Sequence, residues 1–248
     1  MNFPFEVIGH RGCEGIAPGN SIAAMQKAIE LGIDRVEFDI QETLDGELTI
    51  FHDESVGDGR TKKRVAGLTR ADLLRLEGKK SSEIPTIGEI LTVCKGTIKI
   101  QAELKANNIE SRVWSCIEET GFPVSDVNIS SFAMDRLGRL QSIAPALNPV
   151  QLVFLLGKNM AVEPALDEME ALGIGSISIF AGDVTPQIVE HVHERGIRAI
   201  AWGTGDKGLQ PDKIISSYQL LIYKGVDGFT CAYPDRLQGL IRGANQLT

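Results

Sequence analysis

Positive charge is scarce in this 248-residue sequence: 25 Lys and Arg stand against 33 Asp and Glu, a formal net charge of −8. That balance argues against nucleic acid or an anionic membrane surface as the main partner. A phosphate-bearing small molecule would then have to be held by local positive charge or by a metal. Long apolar runs are missing too, and none approaches the ~18 residues that suggest a membrane span, so stable membrane insertion is not expected. The start, Met1-Asn2-Phe3-Pro4-Phe5-Glu6, lacks the basic stretch and apolar run of a secretory leader, and the expected location is cytoplasmic. Cys13, Cys94, Cys116 and Cys231 are scattered without CxxC spacing, which excludes a disulfide framework or a zinc site as the first expectation and leaves reduced thiols.

What is present is ordinary globular composition, 43% hydrophobic and 23% charged, over a length close to the roughly 250 residues of one (β/α)₈ barrel. Short apolar or β-branched runs alternate with helical patterns, the signature of βαβ units around a parallel sheet. Eight such runs occur: Glu6–Gly9, Arg35–Gln41, Ile98–Leu104, Val127–Phe132, Val150–Leu155, Ser176–Phe180, Ile197–Trp202 and Val226–Cys231. Between them lie amphipathic stretches such as Ser21–Leu31 and Thr185–Arg195, and Gly32, Gly121, Gly173, Gly196 and Gly225 follow helical patterns where a positive φ can end a helix. The expectation is an α/β fold, a closed (β/α)₈ TIM barrel, with residues 1–248 as one domain.

One connection departs from this rhythm. Asp45-Gly46 after the second run is a hairpin signal, with Glu47–His52 returning, and a two-residue loop there would set Asp39 opposite His52. Residues from about 54 to 83 then form an excursion before a helix starting near Thr86.

Glu37 and Asp39 are two apart on an alternating strand, so both project to one face, which in a barrel can be the interior. Glu103 ends the third run, with Lys105 two residues on. Desolvated like charges force a group to protonate unless a counter-charge is supplied, and three carboxylates suit a hard cation, Mg²⁺, Ca²⁺ or Mn²⁺, rather than zinc. Any one of these acids alone would be read as a surface ion pair. His10 ends the first run and His52 ends the returning hairpin strand, both at the C-terminal mouth where barrel enzymes carry their active sites. A lone strand-end histidine is usually structural; two beside acids at one mouth can take and give the two protons that phosphodiester cleavage requires. His191 and His193 sit two apart on a helical pattern, which points them to opposite sides and marks them as solvated.

Two further motifs carry less. Gly203, Gly205 and Gly208 form a literal G-x-G-x-x-G with Asp227 about 20 residues on, but in the seventh unit, whereas a dinucleotide fingerprint belongs to the first unit of an open sheet. That loop can still serve phosphate in a barrel. Arg60-Thr61-Lys62-Lys63-Arg64 reads as a solvated basic turn.

Six separated motifs then agree with one pattern: His10-Arg11-Gly12, Ala17-Pro18-Gly19-Asn20-Ser21, Glu37-Phe38-Asp39, Thr49-Ile50-Phe51-His52-Asp53, Glu103-Leu104-Lys105 and Gly225-Val226-Asp227-Gly228-Phe229-Thr230. Together, over about residues 6–236, they resemble the glycerophosphodiester phosphodiesterase family, whose small insertion the excursion also resembles. The resemblance implies hydrolysis of glycerophosphodiesters to glycerol 3-phosphate and an alcohol, with attack by the substrate's own glycerol hydroxyl through a cyclic phosphate as one proposed route. It implies Glu37, Asp39 and Glu103 as ligands of Mg²⁺ or Ca²⁺, His10 and His52 as acid and base, Arg11 and Lys105 as phosphate contacts, and Trp202 as a packing surface for glycerol or the head group. Two departures stand out. The family usually reads Pro-Glu-Asn-Thr where this chain has Pro18-Gly19-Asn20-Ser21, so a first-loop carboxylate is missing and the loop is expected to be looser, and Cys231 replaces an aspartate often found after Thr230. Lysophospholipid or sphingolipid substrates at the same site, which apolar loops at the mouth would favour, and a non-catalytic binding barrel remain alternatives.

Overall fold

The computed structural model describes residues 3–206 and 208–245, with side chains through Ile241. Its strands are β1 (Glu6–Gly9), β2 (Arg35–Glu42), β3 (Leu48–Ile50), β4 (Ser55–Val56), β5 (Lys63–Arg64), β6 (Lys99–Leu104), β7 (Val127–Ser131), β8 (Leu152–Leu155), β9 (Ser176–Phe180), β10 (Arg198–Trp202) and β11 (Gly228–Cys231). Eight of them form one ring of parallel neighbours, β1-β11-β10-β9-β8-β7-β6-β2, and a β1–β2 pairing closes it. The expected closed barrel is therefore present, with each of the eight anticipated runs contributing one strand. Helices α1 (Ile22–Leu31), α2 (Arg70–Glu77), α3 (Ile87–Cys94), α4 (Glu110–Thr120), α5 (Met134–Ile143), α6 (Val162–Ala171), α7 (Pro186–Glu194), α8 (Pro211–Tyr223) and α9 (Pro234–Asn245) follow, with α2 inside the excursion. No helix among the described residues is long and apolar enough to cross a membrane.

Local chemistry sets the helix starts. Ser21, Thr86 and Thr185 cap α1, α3 and α7 by accepting the backbone N–H groups of Ala24, Glu89 and Ile188, so those helices begin one residue after a side chain that satisfies an otherwise unpaired donor.

The main apolar core lies between the barrel and its helices, where Val36, Phe38, Ile40, Ile100, Ala102 and Ile129 meet residues such as Met25, Ile90, Leu91 and Val113. The small separate cluster Ile8, Val153, Leu155 and Ile200 has the alternate parity of the strands, which places it inside the ring. The rest of the interior is largely polar. Parallel register sets Glu37, Gln101 and Asn128 at one level and Asp39, Glu103 and Ser130 at the next.

At the N-terminal end, Glu6 is buried among cations. Arg35 grips it through two bonds of 3.1 Å, Arg198 donates at 3.1 Å and Lys99 lies 3.5 Å away. Burial pushes the Glu6 carboxyl upward, but these cations, Arg35 first, outweigh burial and hold it at about 2, below its ordinary 4.5. A depressed carboxyl stabilises the fold above the unfolded value and loses that contribution as pH falls through the folded one. Glu6→Gln, which strands buried guanidinium groups, is therefore expected to cost about 3–5 kcal/mol at neutral pH. The gap from the unsubstituted protein should narrow as pH drops from 4.5 toward 2. Urea unfolding at several pH values checks both statements.

Two expectations need correction. The hairpin is not closed by a two-residue loop: Glu42 pairs with Leu48, Gln41 with Thr49 and Ile40 with Ile50, leaving Thr43–Glu47 as the loop. Gly46, at φ 80°, ends a turn whose N–H bonds to the Thr43 carbonyl, and the Thr43 N–H bonds to the Glu47 carbonyl. That odd-length loop shifts the register by one, so Asp39 bonds through its carbonyl to the Phe51 N–H rather than facing His52. His52 itself lies beyond β3. Second, His193 is not simply solvated: its Nε2 lies 2.8 Å from Asp227, which also accepts the Ala199 N–H. His191, with an exposed side chain, pairs with Glu163.

The excursion packs its own apolar cluster, Val56, Val65, Leu68, Leu73 and Ile84, and is tied to the hairpin where the Leu44 N–H meets the Leu68 carbonyl. Arg60, Lys62, Lys63 and Arg64 on it are exposed, as the solvated reading of that cluster expects.

Candidate active site

Glu37 and Asp39 rise from β2 and Glu103 from the adjacent β6, and one oxygen from each lies within 4.8 Å of the others. All three are buried, at 4%, 1% and 8% exposure. Burial first, and then the charge of Asp39, push the carboxyls of Glu37 and Glu103 upward, the cost of packing like charges into a low-dielectric floor. One oxygen of Glu37, Oε1, is buried with no hydrogen-bond partner among the described residues. Three hard oxygen donors in reach of one point, one of them unsatisfied, fit a hard divalent cation.

The first loop builds the wall beside this cluster. Gly9 permits the turn, because a Cβ there would fall 1.8 Å from the Gly12 carbonyl oxygen. Arg11 (φ 49°) and Gly12 (φ 84°) both take the left-handed conformation, which for arginine costs about 1–3 kcal/mol. The return on that strain is positional. The Arg11 N–H donates to Glu37 Oε2 at 3.0 Å, and the Arg11 side chain comes within 3.3 Å of Asp39. Asn20 donates to Asp39 Oδ2 at 2.8 Å and accepts its backbone N–H, so the carboxylate is clamped from the same loop. Lys105 lies 3.0 Å from Glu103 and 3.6 Å from Asp39.

A cavity of about 270 Å³ opens above the acids and is lined by His10, Arg11, His52, Lys105, Phe132 and Trp202 among others. Glu37, Asp39, Glu103, His10, His52, Arg11, Lys105 and Trp202 thus line one cavity, although His52 arrives there from a different register. His10 places Nδ1 2.5 Å from Glu14 and Nε2 4.0 Å from Glu37. Burial alone would lower the His10 imidazole, but the Glu14 bond and the Glu37 charge outweigh it and the net shift is upward. His52 places Nδ1 2.6 Å from Asp53. A carboxylate only accepts, so the contact with the buried Glu14 side chain favours a proton on His10 Nδ1, with Nε2 toward Glu37, whereas the Asp53–His52 contact is exposed to solvent. Trp202 donates to the Leu156 carbonyl and packs edge-on against Phe132 and Phe180, making one aromatic wall of the cavity.

Glu14 and Asn20 were given no role by the sequence reasoning. Gly19 does not loosen its loop: a Cβ there would meet Glu14 Cβ at 2.8 Å and Arg11 Cβ at 3.1 Å, so the loop is packed around the missing side chain. Position 19 carries no carboxylate, as the sequence reads, but Glu14 places one in the same loop. Beside Cys231, Asp206 from the loop after β10 accepts the Ala232 N–H at 2.8 Å and the Tyr218 hydroxyl. Gly203, Thr204 and Gly205 of the G-x-G-x-x-G segment line the mouth, while Asp227 is occupied at the opposite end with His193 and Ala199. Lys207 of that segment lies outside the described residues.

A profile of the glycerophosphoryl diester phosphodiesterase family matches residues 10–236. The chain belongs to that family. A glycerophosphodiester phosphodiesterase of Caldanaerobacter subterraneus is 32% identical over 95% of this chain and 97% of its own length. Solved structures agree in fold: a glycerophosphodiester phosphodiesterase from Parabacteroides distasonis has a TM-score of 0.77 at 22% identity, covering 99% of this chain and all of that one. A phosphodiesterase from Oleispira antarctica, solved with the product sn-glycerol-3-phosphate, has a TM-score of 0.76 at 23% identity, covering 97% of each chain. The expected family, enzyme class and barrel of this glycerophosphodiester phosphodiesterase family member are thereby borne out.

Proposed function

We propose that this phosphodiesterase hydrolyses glycerophosphodiesters to glycerol 3-phosphate and an alcohol in a metal-dependent reaction, with Glu37, Asp39 and Glu103 holding the ion and His10 and His52 exchanging protons. The observation that carries the reading is the convergence of three buried acids and two histidines on one cavity. When bound, the ion polarises the phosphoryl oxygens and offsets the charge that builds on them. Arg11 and Lys105 bring their positive groups to the same floor, where they can draw the phosphate in against a chain of net charge −8. His10 and His52 each present Nε2, one to remove the proton of the attacking hydroxyl and the other to deliver one to the departing alkoxide. Trp202 and Phe132 offer an apolar surface for the glycerol carbons or the head group. Four free cysteines, three of them buried, support a reducing compartment such as the cytoplasm.

The decisive test is release of glycerol 3-phosphate from glycerophosphocholine and glycerophosphoethanolamine with Mg²⁺, with Ca²⁺ and with chelator. Release that chelation abolishes is the expected result. One observation favours a second substrate class: Ile16, Phe132, Met160 and Leu209, all in loops at the strands' C-terminal ends, are exposed. Such a rim can take an acyl chain. Turnover of a lysophospholipid with none of glycerophosphocholine would move the assignment there; turnover of neither would leave a binding barrel.

A further inference from the structure

Glu14 stands four residues after His10 in a loop, yet its side chain is only 8% exposed and lies 2.5 Å from His10 Nδ1. Its second oxygen faces Arg11 Nη1 at 3.5 Å. The other carboxylate that touches a site histidine, Asp53, is 69% exposed and pairs with a His52 side chain that is 41% exposed. An ion pair in solvent fixes little, whereas a buried carboxylate against a ring nitrogen sets both tautomer and ring orientation. Gly19 makes this placement possible, because any Cβ at that position would press on Glu14 Cβ and Arg11 Cβ.

We propose that Glu14 is a positioning residue of this active site, acting through His10 by holding the proton on Nδ1 and directing Nε2 at the reaction centre. The inference rests on the reading in which His10 transfers a proton. It assigns the two histidines, themselves similarly exposed at 35% and 41%, different supports: His10 leans on a buried carboxylate and His52 on an exposed one.

A mutant cycle on glycerophosphocholine with Mg²⁺ tests it. Glu14→Ala is expected to lower kcat about 100-fold with KM within about threefold, the size of effect that loss of an orienting partner or of an acid–base group produces. Glu14→Gln, whose amide oxygen still accepts the Nδ1 proton, should recover most of that loss. In a His10→Ala background, Glu14→Ala should cost less than about threefold more, since the group it acts through is gone. Where His10→Ala is too slow to measure, ¹⁵N spectra of the imidazoles supply a readout independent of turnover: the Nδ1–H signal of His10 is expected in the unsubstituted protein and absent in Glu14→Ala. A normal kcat in Glu14→Ala, an equal proportional loss with and without His10, or a His10 tautomer unchanged by the substitution would each overturn the proposal. If the unsubstituted protein turns over and Glu14→Ala does too, only this inference fails; if the unsubstituted protein is inert in every assay of the preceding section, the proton-transfer reading fails with it.

Discussion

Alanine at His10 or at His52 is expected to lower kcat by about 10²–10⁴-fold while leaving Mg²⁺ affinity within a few-fold of the parent, the range general acid–base groups contribute. The separation of the two effects follows from the geometry. The three carboxylates are seated by β2 and β6, with Glu37 held by the Arg11 N–H, Asp39 by Asn20 and Glu103 by Lys105, so removing an imidazole deletes no oxygen donor. Calorimetric Mg²⁺ titration beside steady-state kinetics reads both quantities. A substrate with an activated leaving group, such as a p-nitrophenyl phosphodiester, then sorts the roles. The variant lacking the general acid regains rate on it because that alcohol departs without help, and the variant lacking the general base does not. Activity retained by either variant on the natural diester would remove that histidine from the pair.

How much of this was legible in the sequence depended on whether the signal was periodic. Strand alternation is a property of neighbouring residues, so Glu37 and Asp39 could be set on one face, and the parallel register places Asp39 beside Glu103 as that reading requires. The capping residues Ser21, Thr86 and Thr185 mark helix starts for the same local reason. The hairpin register failed because Asp45-Gly46 is compatible with more than one loop length, and the Thr43–Glu47 bond that selected the longer one is not a pattern in the sequence. Glu14 stayed hidden for a stronger reason. Its approach to His10 depends on Arg11 adopting a left-handed backbone that a non-glycine residue seldom takes, so no spacing rule brings residues 10 and 14 together outside a helix. Asn20, also at positive φ (59°), reaches Asp39 by the same irregular turn. In each case tertiary packing of a strained loop decided the contact, which is why the three clustered carboxylates could be named early and the groups that orient them could not.

Metal removal is expected to abolish turnover and also to change how stability depends on pH, because the acid cluster is then left without its counter-charge. Glu37 and Glu103 have carboxyls raised above the ordinary value of 4.5 by burial and by Asp39. A raised carboxyl binds its proton more tightly in the folded state, so the metal-free protein should be most stable in acid relative to this cluster and lose stability as pH climbs from 4.5 through the raised values. Bound cation reverses the trend, since it favours the ionised form and competes with the protons. At a Mg²⁺ concentration about 100-fold above Kd, binding should add about 2.7 kcal/mol, a rise in Tm of roughly 5–10 °C for a chain of this size. Glu37→Gln separates the contributions. It should lose most of the Mg²⁺-dependent rise in Tm and nearly all turnover, yet in chelator near pH 8 melt no lower than the parent, because an uncharged amide replaces a buried like charge. Thermal melts of both proteins across pH, with Mg²⁺ and with chelator, carry the comparison. A Glu37→Gln variant that kept the Mg²⁺-dependent shift would remove Glu37 from the ligand set, and a parent whose Tm ignored metal at every pH would place the ion elsewhere.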